Sequence, residues 1–284
     1  MCGLAAIIGN NAEETRSLIK KMLVVQKHRG PDAERFHLHG ASALGHNRLS
    51  IISLNKNSDQ PLVSSCDQYE IIFNGEIYNY IELKEHLKSN YKFRTDSDTE
   101  VLLAAYMVWG EKMLNKLIGI FSFIIYNKKS GEFFGARDRF GVKPLFYSEY
   151  NDKLIFASEI KALWEAGVPK TPNLKVWSNY FVSGSYGGVN DSFWDGVHQI
   201  PGGHLFFIDR NRSLKVKRWY DFKKNVEKID YNQDDKIIKK QWIELAINSI
   251  NLRFRSDVPV GFNLSGGLDS TSIVALMSQY SNYK

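Results

Sequence analysis

Short apolar runs separated by turn residues dominate the first two thirds of the chain. The run 4–8, directly behind the amino terminus, predicts a buried strand. Residues 13–27 predict a helix, because apolar residues recur there at three- and four-residue spacing. The apolar face of this helix consists of Leu18, Ile19, Met22, Leu23 and Val25.

Further along, alternating patterns predict antiparallel strands and hairpins. Strands are expected within 41–52, 70–80, 121–126, 132–136, 154–157, 203–208 and 214–219. Helices are expected at 101–109, where Ser97 and Glu100 form a capping-box pattern, at 159–166, and at 173–181. Many short antiparallel strands with few helices predict two stacked sheets flanked by helices.

The composition changes near the carboxyl-terminal end. Residues 220–240 are rich in Lys, Asp and Asn, which predicts a linker and a domain boundary. A helix then restarts near Asp234, with Ile238, Trp242, Leu245 and Ile250 on one face. The last segment reads as a strand over 257–264, a glycine-rich loop over 265–270 and a helix over 271–280. That order predicts an anion site, although no Walker lysine follows the glycines.

Composition narrows the class of protein. The chain has 284 residues, 43% hydrophobic and 24% charged, so it is expected to be globular and long enough for two domains. Two cysteines provide no disulfide framework and indicate a cytoplasmic setting. The net charge of +6 is spread along the chain, which argues against nucleic acid. We find no apolar run of transmembrane length, no signal peptide and no CxxC pair for zinc.

Cys2 is the first candidate for chemistry. If Met1 is removed, one residue carries both a thiol and the terminal α-amine. The reference pKa values are about 8.5 for the thiol and about 7.7–8.0 for the amine. Such a residue can act as an N-terminal nucleophile whose own amine is the base. Alternatively, Cys2 is a small buried hydrophobic residue without a catalytic role.

Two other residues suggest a site without defining it. His46 could serve as the base for Cys2, although a buried structural histidine is commoner. Arg48, inside an apolar stretch, needs an anionic partner, and the residues alone favour an internal acid over a ligand carboxylate. The stretch His28-Arg29-Gly30-Pro31-Asp32 is interpreted as a surface loop, with two basic side chains beside a pocket as the alternative.

Two polar motifs admit both a structural and a catalytic role. Asn74-Gly75 is a turn signal, yet it also places an amide side chain beside an unhindered backbone N–H, as an oxyanion hole requires. Asp98 lies at a helix start, where it can complement the helix dipole. It could equally hold the amino group of a ligand.

Taken together, these motifs resemble those of glutamine-dependent asparagine synthetase, over nearly the whole chain. The shared motifs are Met-Cys-Gly at the start, Arg29-Gly30-Pro31-Asp32, Arg48-Leu49-Ser50-Ile51, Asn74-Gly75-Glu76-Ile77-Tyr78-Asn79, Ser97-Asp98-Thr99-Glu100, the stretch 137–145, Phe156-Ala157-Ser158-Glu159 and the loop 265–270. The resemblance implies a class II glutaminase domain over 2–209, an α+β N-terminal-nucleophile sandwich. A linker over 210–233 and the beginning of an α/β ATP-pyrophosphatase domain over 234–284 would follow.

The resemblance also implies roles for individual residues. Cys2 would form a glutamyl thioester with its α-amine as base, and Asn74 and Gly75 would hold the oxyanion. The glutamine-binding residues would be Arg48 for the α-carboxylate, Glu76 and Asp98 for the α-ammonium, and Leu49, Ser50, Ile51 and Ile52 along the wall. ATP would bind at Asn263, Leu264, Ser265, Gly266, Gly267, Asp269 and Ser270, with Mg²⁺ near Asp269. Ammonia would pass internally to an ATP-activated carboxylate.

The expected acceptor is aspartate, giving asparagine. Gly184, Gly187 and Gly188 within 180–203 suggest a divergent branch, for which a sugar acid is the alternative acceptor. The chain stops one helix beyond the nucleotide loop, so by itself we expect a glutaminase at best. A Cys–His peptidase and a non-catalytic binding protein remain the competing classes. The expected partners are small molecules, with no membrane or nucleic acid, and a homodimer is compatible with the sequence.

Overall fold

The structure is a computed structural model that describes residues 1–229 and 232–280, with no side chain described for Tyr280. The chain divides into two compact units. The first comprises Met1–Ser50 and Asn55–Asp221, and the second comprises Ile51–Leu54 and Phe222–Lys284.

Two antiparallel sheets form the centre of the first unit. The first sheet has the order β10-β8-β9-β1-β3-β2. Its strands are β1 (Gly3–Ile8), β2 (Ala33–His39), β3 (Ser42–Arg48), β8 (Phe146–Tyr150), β9 (Lys153–Ala157) and β10 (His198–Gln199). The second sheet has the order β12-β11-β7-β6-β5-β4. Its strands are β4 (Leu62–Val63), β5 (Tyr69–Ile77), β6 (Gly119–Asn127), β7 (Glu132–Arg137), β11 (His204–Ile208) and β12 (Leu214–Arg218).

Helices cover the outer faces of both sheets. The helices of this unit are α1 (Ala12–Gln26), α2 (Tyr80–Leu87), α3 (Asp98–Trp109), α4 (Ile160–Glu165) and α5 (Leu174–Ser183). Helices α1 and α4 pack on the first sheet, where Ile19, Met22 and Leu163 are fully buried. Helices α2 and α3 pack on the second sheet over Phe121 and Phe123. The layers are therefore helix, sheet, sheet and helix, as the alternating pattern predicted.

A third apolar cluster lies between the two sheets. It joins Leu4, Ala6 and Ile8 of β1 to residues of the opposite sheet such as Ile72, Ile124 and Phe206. The intervening residues Ala5 and Ile7 belong to the cluster under α1 and α4. Both faces of β1 are thus buried, and its neighbours β3 and β9 pair with it on either side. This packing fixes the position of Cys2, the residue immediately before β1.

The second unit contains α6 (Phe222–Val226), α7 (Asp235–Arg253) and α8 (Leu268–Tyr280). Asp234 caps α7 by accepting a hydrogen bond from the N–H of Lys236 at 2.7 Å. A cavity of about 650 Å³ lies between α7 and α8, lined by apolar side chains including Trp242, Phe262 and Leu276.

The predicted strand over 257–264 is wrong, because these residues adopt no regular secondary structure. A strand needs a neighbour for its N–H and C=O groups. The second unit provides no strand among the residues described, so the apolar run lacks a ladder to join. The domain limits also differ from 2–209 and 210–233, because β12 pairs with β11 and the first unit extends to Asp221.

Candidate active site

The Cys2 thiol lies against the backbone of Leu49, just after β3. Its Sγ accepts a hydrogen bond from Leu49 N at 3.4 Å and lies 3.6 Å from Leu49 O. Burial raises the pKa of the thiol. The Leu49 hydrogen bond, the terminal amine and Arg48 act in the opposite direction, and Asp98 adds to the rise. The thiol is therefore protonated at neutral pH, so a base must deprotonate it before it can attack.

A base candidate is adjacent. Burial lowers the pKa of the terminal amine; Lys143 and Arg29 lower it further, while Cys2 and Glu76 raise it. Lowering the pKa increases the unprotonated fraction of the amine near neutrality, and this is the form that can accept the thiol proton. In the 284-residue chain this amine belongs to Met1, and removal of Met1 would transfer it to Cys2 itself.

Arg29 anchors the backbone at Cys2. Its Nε donates to the carbonyl oxygen of Cys2 at 2.8 Å, and its Nη1 lies 3.0 Å from Glu159 Oε1. Gly30 follows in close contact with β3, since a Cβ there would overlap the carbonyl oxygen of Asn47. The surface-loop interpretation of 28–32 is therefore wrong for Arg29, which is buried and joins the loop to the candidate nucleophile.

The turn interpretation of Asn74-Gly75 is also wrong, because both residues lie inside β5. Asn74 stands opposite Ser122 and Gly75 opposite Phe121 in the ladder with β6. A Cβ on Gly75 would overlap the carbonyl oxygen of Ile120, so only glycine fits at this position. The Asn74 amide is fully buried, and neither its Nδ2 nor its Oδ1 has a hydrogen-bond partner among the described residues.

The ladder also determines where the Gly75 N–H points. The N–H and the C=O of Phe121 both bond to Asp138, so the Gly75–Phe121 pair exchanges no hydrogen bonds. The Gly75 N–H must then face the opposite edge of β5. At that edge Phe73 N donates to Gln60 Oε1 at 2.6 Å and Ile77 N donates to Asp98 Oδ2 at 3.0 Å. Gly75 N–H lies between them, beyond the end of the short strand β4.

Asp98 closes this edge at the first residue of α3. Burial raises its pKa to about 7, Ile77 N–H opposes the rise, and Glu76 contributes to it. Burial also raises the pKa of Glu76, against the effects of Lys143 and the terminal amine. A buried and a half-buried carboxyl group with raised pKa values favour a cationic ligand, which would let both ionise. Ser97 caps the helix by accepting from Glu100 N at 3.2 Å, so Asp98 is not needed as the cap.

Arg48, the last residue of β3, has the internal acid that the residues alone favoured. Its Nη1 lies 2.7 Å from Asp59 Oδ1 and donates to Asn55 O at 2.9 Å. Both side chains of the ion pair are only 6% exposed, so the charges are strongly coupled. Asp59 also pairs with Arg35 at 2.9 Å. Asp59 was not among the predicted site residues, because nothing in the sequence around position 59 connects it to Arg48.

His46 is not paired with Cys2. It points between the two sheets, fully buried, where its Nε2 donates to the carbonyl oxygen of Phe73 at 2.9 Å. Burial lowers its pKa to about 4. A neutral imidazole whose proton is used in a structural hydrogen bond fits the structural role of this residue rather than a Cys–His scheme.

The remaining predicted residues fall in different places. Ser50 donates its N–H to Asp32 Oδ2 at 2.7 Å within the first unit. Ile51 and Ile52 belong to the second unit, and their role in glutamine binding stays a prediction. The loop 265–270, for which ATP binding stays a prediction, is exposed. In it, Ser265 Oγ lies 3.1 Å from Ser270 Oγ, and Ser270 Oγ donates to Gly267 O at 3.1 Å. Asp269 stands in the first turn of α8. Asn263, Leu264 and Gly266 are also exposed.

Comparison with known proteins supports the same family along the chain. A family model described as a glutamine amidotransferase domain matches residues 1–220, and one described as asparagine synthase matches residues 242–284. Glutamine-hydrolyzing asparagine synthetase 1 of Bacillus subtilis is 39% identical over an alignment of 286 positions, which covers 99% of this chain and 44% of that protein. A putative asparagine synthetase of Methanocaldococcus jannaschii is 34% identical over an alignment of 309 positions, which covers 99% of this chain and 58% of that protein.

The fold comparison agrees. A glutamine phosphoribosylpyrophosphate amidotransferase from B. subtilis superposes with a TM-score of 0.56 at 20% identity, covering 77% of this chain and 49% of that one. The two-sheet sandwich of this chain therefore shares its fold with a glutamine amidotransferase. The chain belongs to the glutamine amidotransferase family, and its resemblance within that family is to the glutamine-hydrolysing asparagine synthetases. It spans less than two thirds of the length of these relatives.

No helix among the residues described is long and apolar enough to span a membrane.

Proposed function

We propose that the first unit hydrolyses glutamine to glutamate and ammonia, with Cys2 as the nucleophile after removal of Met1. The observation that carries this proposal is the buried Asn74 amide without a partner, next to a Gly75 N–H directed to an open strand edge. Buried polar groups in folded proteins nearly always have hydrogen-bond partners. A buried amide donor and a backbone N–H beside Glu76, whose charge acts on the terminal amine, fit an oxyanion hole that awaits its ligand.

The chemistry follows from these positions. The α-amine takes the thiol proton, and the thiolate attacks the side-chain amide carbon of glutamine, so an S–C bond forms. The oxygen becomes an anion held by Asn74 Nδ2 and Gly75 N–H. The C–N bond then breaks, and the protonated amine returns its proton to the leaving nitrogen, which departs as ammonia. Water, activated by the same amine, attacks the thioester and releases glutamate, which regenerates the thiol.

Charged residues around the thiol would orient the substrate. Arg48 would bind the α-carboxylate, in competition with or alongside its bond to Asp59. Glu76 and Asp98 would bind the α-ammonium. Its positive charge would offset the free-energy cost of ionising these two carboxyl groups, whose pKa values are raised. The raised pKa of Asp98 thus supports the proposal that this side chain waits for a cation.

For the second unit we propose the use of ammonia by an ATP-dependent ligase, with aspartate as acceptor and asparagine as product. This rests on the match of 242–284 to the asparagine synthase family and on the names of the relatives. The loop 265–270 offers hydroxyl groups, Gly266 at φ +79° and the start of α8, which fit a pyrophosphate. The Asp269 carboxylate is the group suited to Mg²⁺. ATP would supply the activation of the acceptor carboxylate. We further propose transfer of ammonia inside the protein and a cytoplasmic setting.

The test is glutamate release from glutamine by the purified chain, compared with Cys2→Ala and Cys66→Ala. Loss of the nucleophile should lower turnover by about 10³-fold or more, whereas Cys66, an exposed thiol, should be dispensable. Turnover that survives Cys2→Ala would refute the assignment. In a protein of the relatives' length, Asp269→Asn should abolish asparagine formation while glutamate release continues.

A further inference from the structure

The loop 137–143 is held by two buried side chains. The Asp138 carboxylate accepts the N–H groups of Phe140, Val142 and Lys143 at 3.0–3.1 Å. The Arg137 guanidinium donates to the carbonyl oxygens of Lys143 at 2.6 Å and Gly141 at 2.7 Å. A loop with its N–H and C=O groups fixed from both directions presents its side chains in one orientation.

The same loop lies beside the proposed oxyanion hole. Asp138 Oδ2 accepts both from Lys143 N at 3.0 Å and from Phe121 N at 3.2 Å, and Phe121 is the ladder partner of Gly75. Ser122 Oγ donates to Pro144 O at 3.1 Å, and Ser122 is the ladder partner of Asn74. Residues 143–144 therefore lie just across β6 from Asn74 and Gly75.

Lys143 is buried there without an ion pair. Lys143 is only 8% exposed. Within the ranges 1–229 and 232–280, its ammonium pairs with no carboxylate. Burial lowers the pKa of Lys143; Glu76, Cys2 and Asp138 oppose this, and Arg29 reinforces it. Lys153 provides a contrast, because it is equally buried but pairs with Glu14 at 2.8 Å. Burying an ammonium without a close partner costs free energy of folding, so the position of Lys143 indicates a functional role.

We propose that Lys143 is a positioning residue of the glutaminase site: its buried positive charge disfavours protonation of the terminal amine and favours the thiolate of Cys2. This inference rests on the proposed function. It assigns to the loop a task that the backbone hydrogen bonds of 137–143 alone would not require.

The charged residues around Cys2 and the terminal amine differ in whether a bound carboxylate offsets their charge. Lys143 and Arg29 lower the pKa of the amine, against Cys2 and Glu76. Arg48 and the amine lower the pKa of the thiol, against Asp98. Arg29 and Arg48 are each bound to a carboxylate, Glu159 and Asp59, which offsets much of their field. Among the residues described, Lys143 has no such partner, so no ion pair offsets its effect on the nucleophile and its base.

The experiment measures the rate of Cys2 alkylation by iodoacetamide as a function of pH, in a Cys66→Ser background that leaves one thiol. Alkylation requires the thiolate, so the midpoint of the profile reports the pKa of Cys2. Lys143→Met should move the midpoint upward by about one pH unit, which is a tenfold change in the ionisation constant of the thiol. Lys143→Arg should leave it unchanged, and so should Lys153→Met, which removes an equally buried lysine elsewhere.

The outcomes separate the possibilities. An unshifted profile in Lys143→Met, or an equal shift in Lys153→Met, would overturn the inference. If Lys143→Met does not unfold cooperatively, Lys143→Gln is judged by the same criterion. Because alkylation needs no glutamine, a shifted profile in a chain without glutaminase activity would refute the proposed function and leave the role of the Lys143 charge standing. In an active chain, the acid limb of kcat/KM should shift upward together with the alkylation profile.

Discussion

Replacement of Asp98 by Asn isolates the energetic effect of burying a carboxyl group at the strand edge. The pKa of Asp98 is raised to about 7 from 3.8. Three pH units at about 1.4 kcal/mol each give a cost of about 4 kcal/mol when the group must ionise. Asn keeps an oxygen that can accept from Ile77 N, so the hydrogen bond of the native side chain is preserved.

The direction in which stability changes with pH follows from proton binding to Asp98 in the folded and unfolded states. Below about pH 4 the carboxyl is protonated in both the folded and the unfolded state, and it costs nothing. As the pH rises, the unfolded chain releases this proton first, so the folded state loses stability until Asp98 ionises near pH 7. The wild type should therefore lose about 2 to 3 kcal/mol relative to Asp98→Asn between about pH 5 and about pH 8.

Urea denaturation at several pH values measures this difference. Asp96→Asn is the matched control, because the Asp96 side chain is 92% exposed and precedes the same helix. The control should track the wild type at every pH. A difference between wild type and Asp98→Asn that does not change with pH would refute the reasoning, since it would show that the carboxyl is ionised in the folded protein throughout.

Two further substitutions test the site. Asp59→Asn leaves the charge of Arg48 without its buried partner. We therefore expect a loss of about 3 to 5 kcal/mol in unfolding free energy and a raised KM for glutamine. Arg35→Met, the control, should cost under about 1 kcal/mol, and equal effects of the two variants would contradict the pairing. Gly75→Ala forces a methyl group against the carbonyl oxygen of Ile120. We therefore expect thermal unfolding to show a loss of about 1 to 3 kcal/mol in unfolding free energy, together with loss of glutamine turnover. An active, fully stable variant would contradict the close approach of the two strands at this position.

The fold could be predicted where burial imposes a pattern along the chain. The run at 4–8 was confirmed because a strand that is buried on both faces leaves a continuous apolar run. The hairpin of β6 and β7 was confirmed because strand residues that alternate between two faces leave a local signature. The strand over 257–264 failed for the opposite reason. Its apolar residues had the right composition, but pairing depends on neighbours that a local pattern does not contain.

The site was only partly visible for a similar reason. Asn74-Gly75 carries a turn signal, yet the ladder with β6 overrides this local preference. The need of Arg48 for an anion was clear from its surroundings, but Asp59 was not identifiable as its partner. Arg29 bonds to the carbonyl oxygen of Cys2, and Lys143 interacts with Cys2 electrostatically, although both are far from it in the sequence. Such contacts depend on the packing of β1, β3 and β6, which no local motif encodes.

The most direct measurement of the central claim uses an electrophilic glutamine analogue and mass spectrometry of the intact protein. We predict one adduct per chain, located on an amino-terminal peptide that begins with Cys2, and its formation should be slowed by excess glutamine. Chains that retain Met1 should react far more slowly, because their terminal amine is not on Cys2. An adduct on Cys66, or equal labelling of chains with and without Met1, would contradict the assignment of Cys2 as an N-terminal nucleophile.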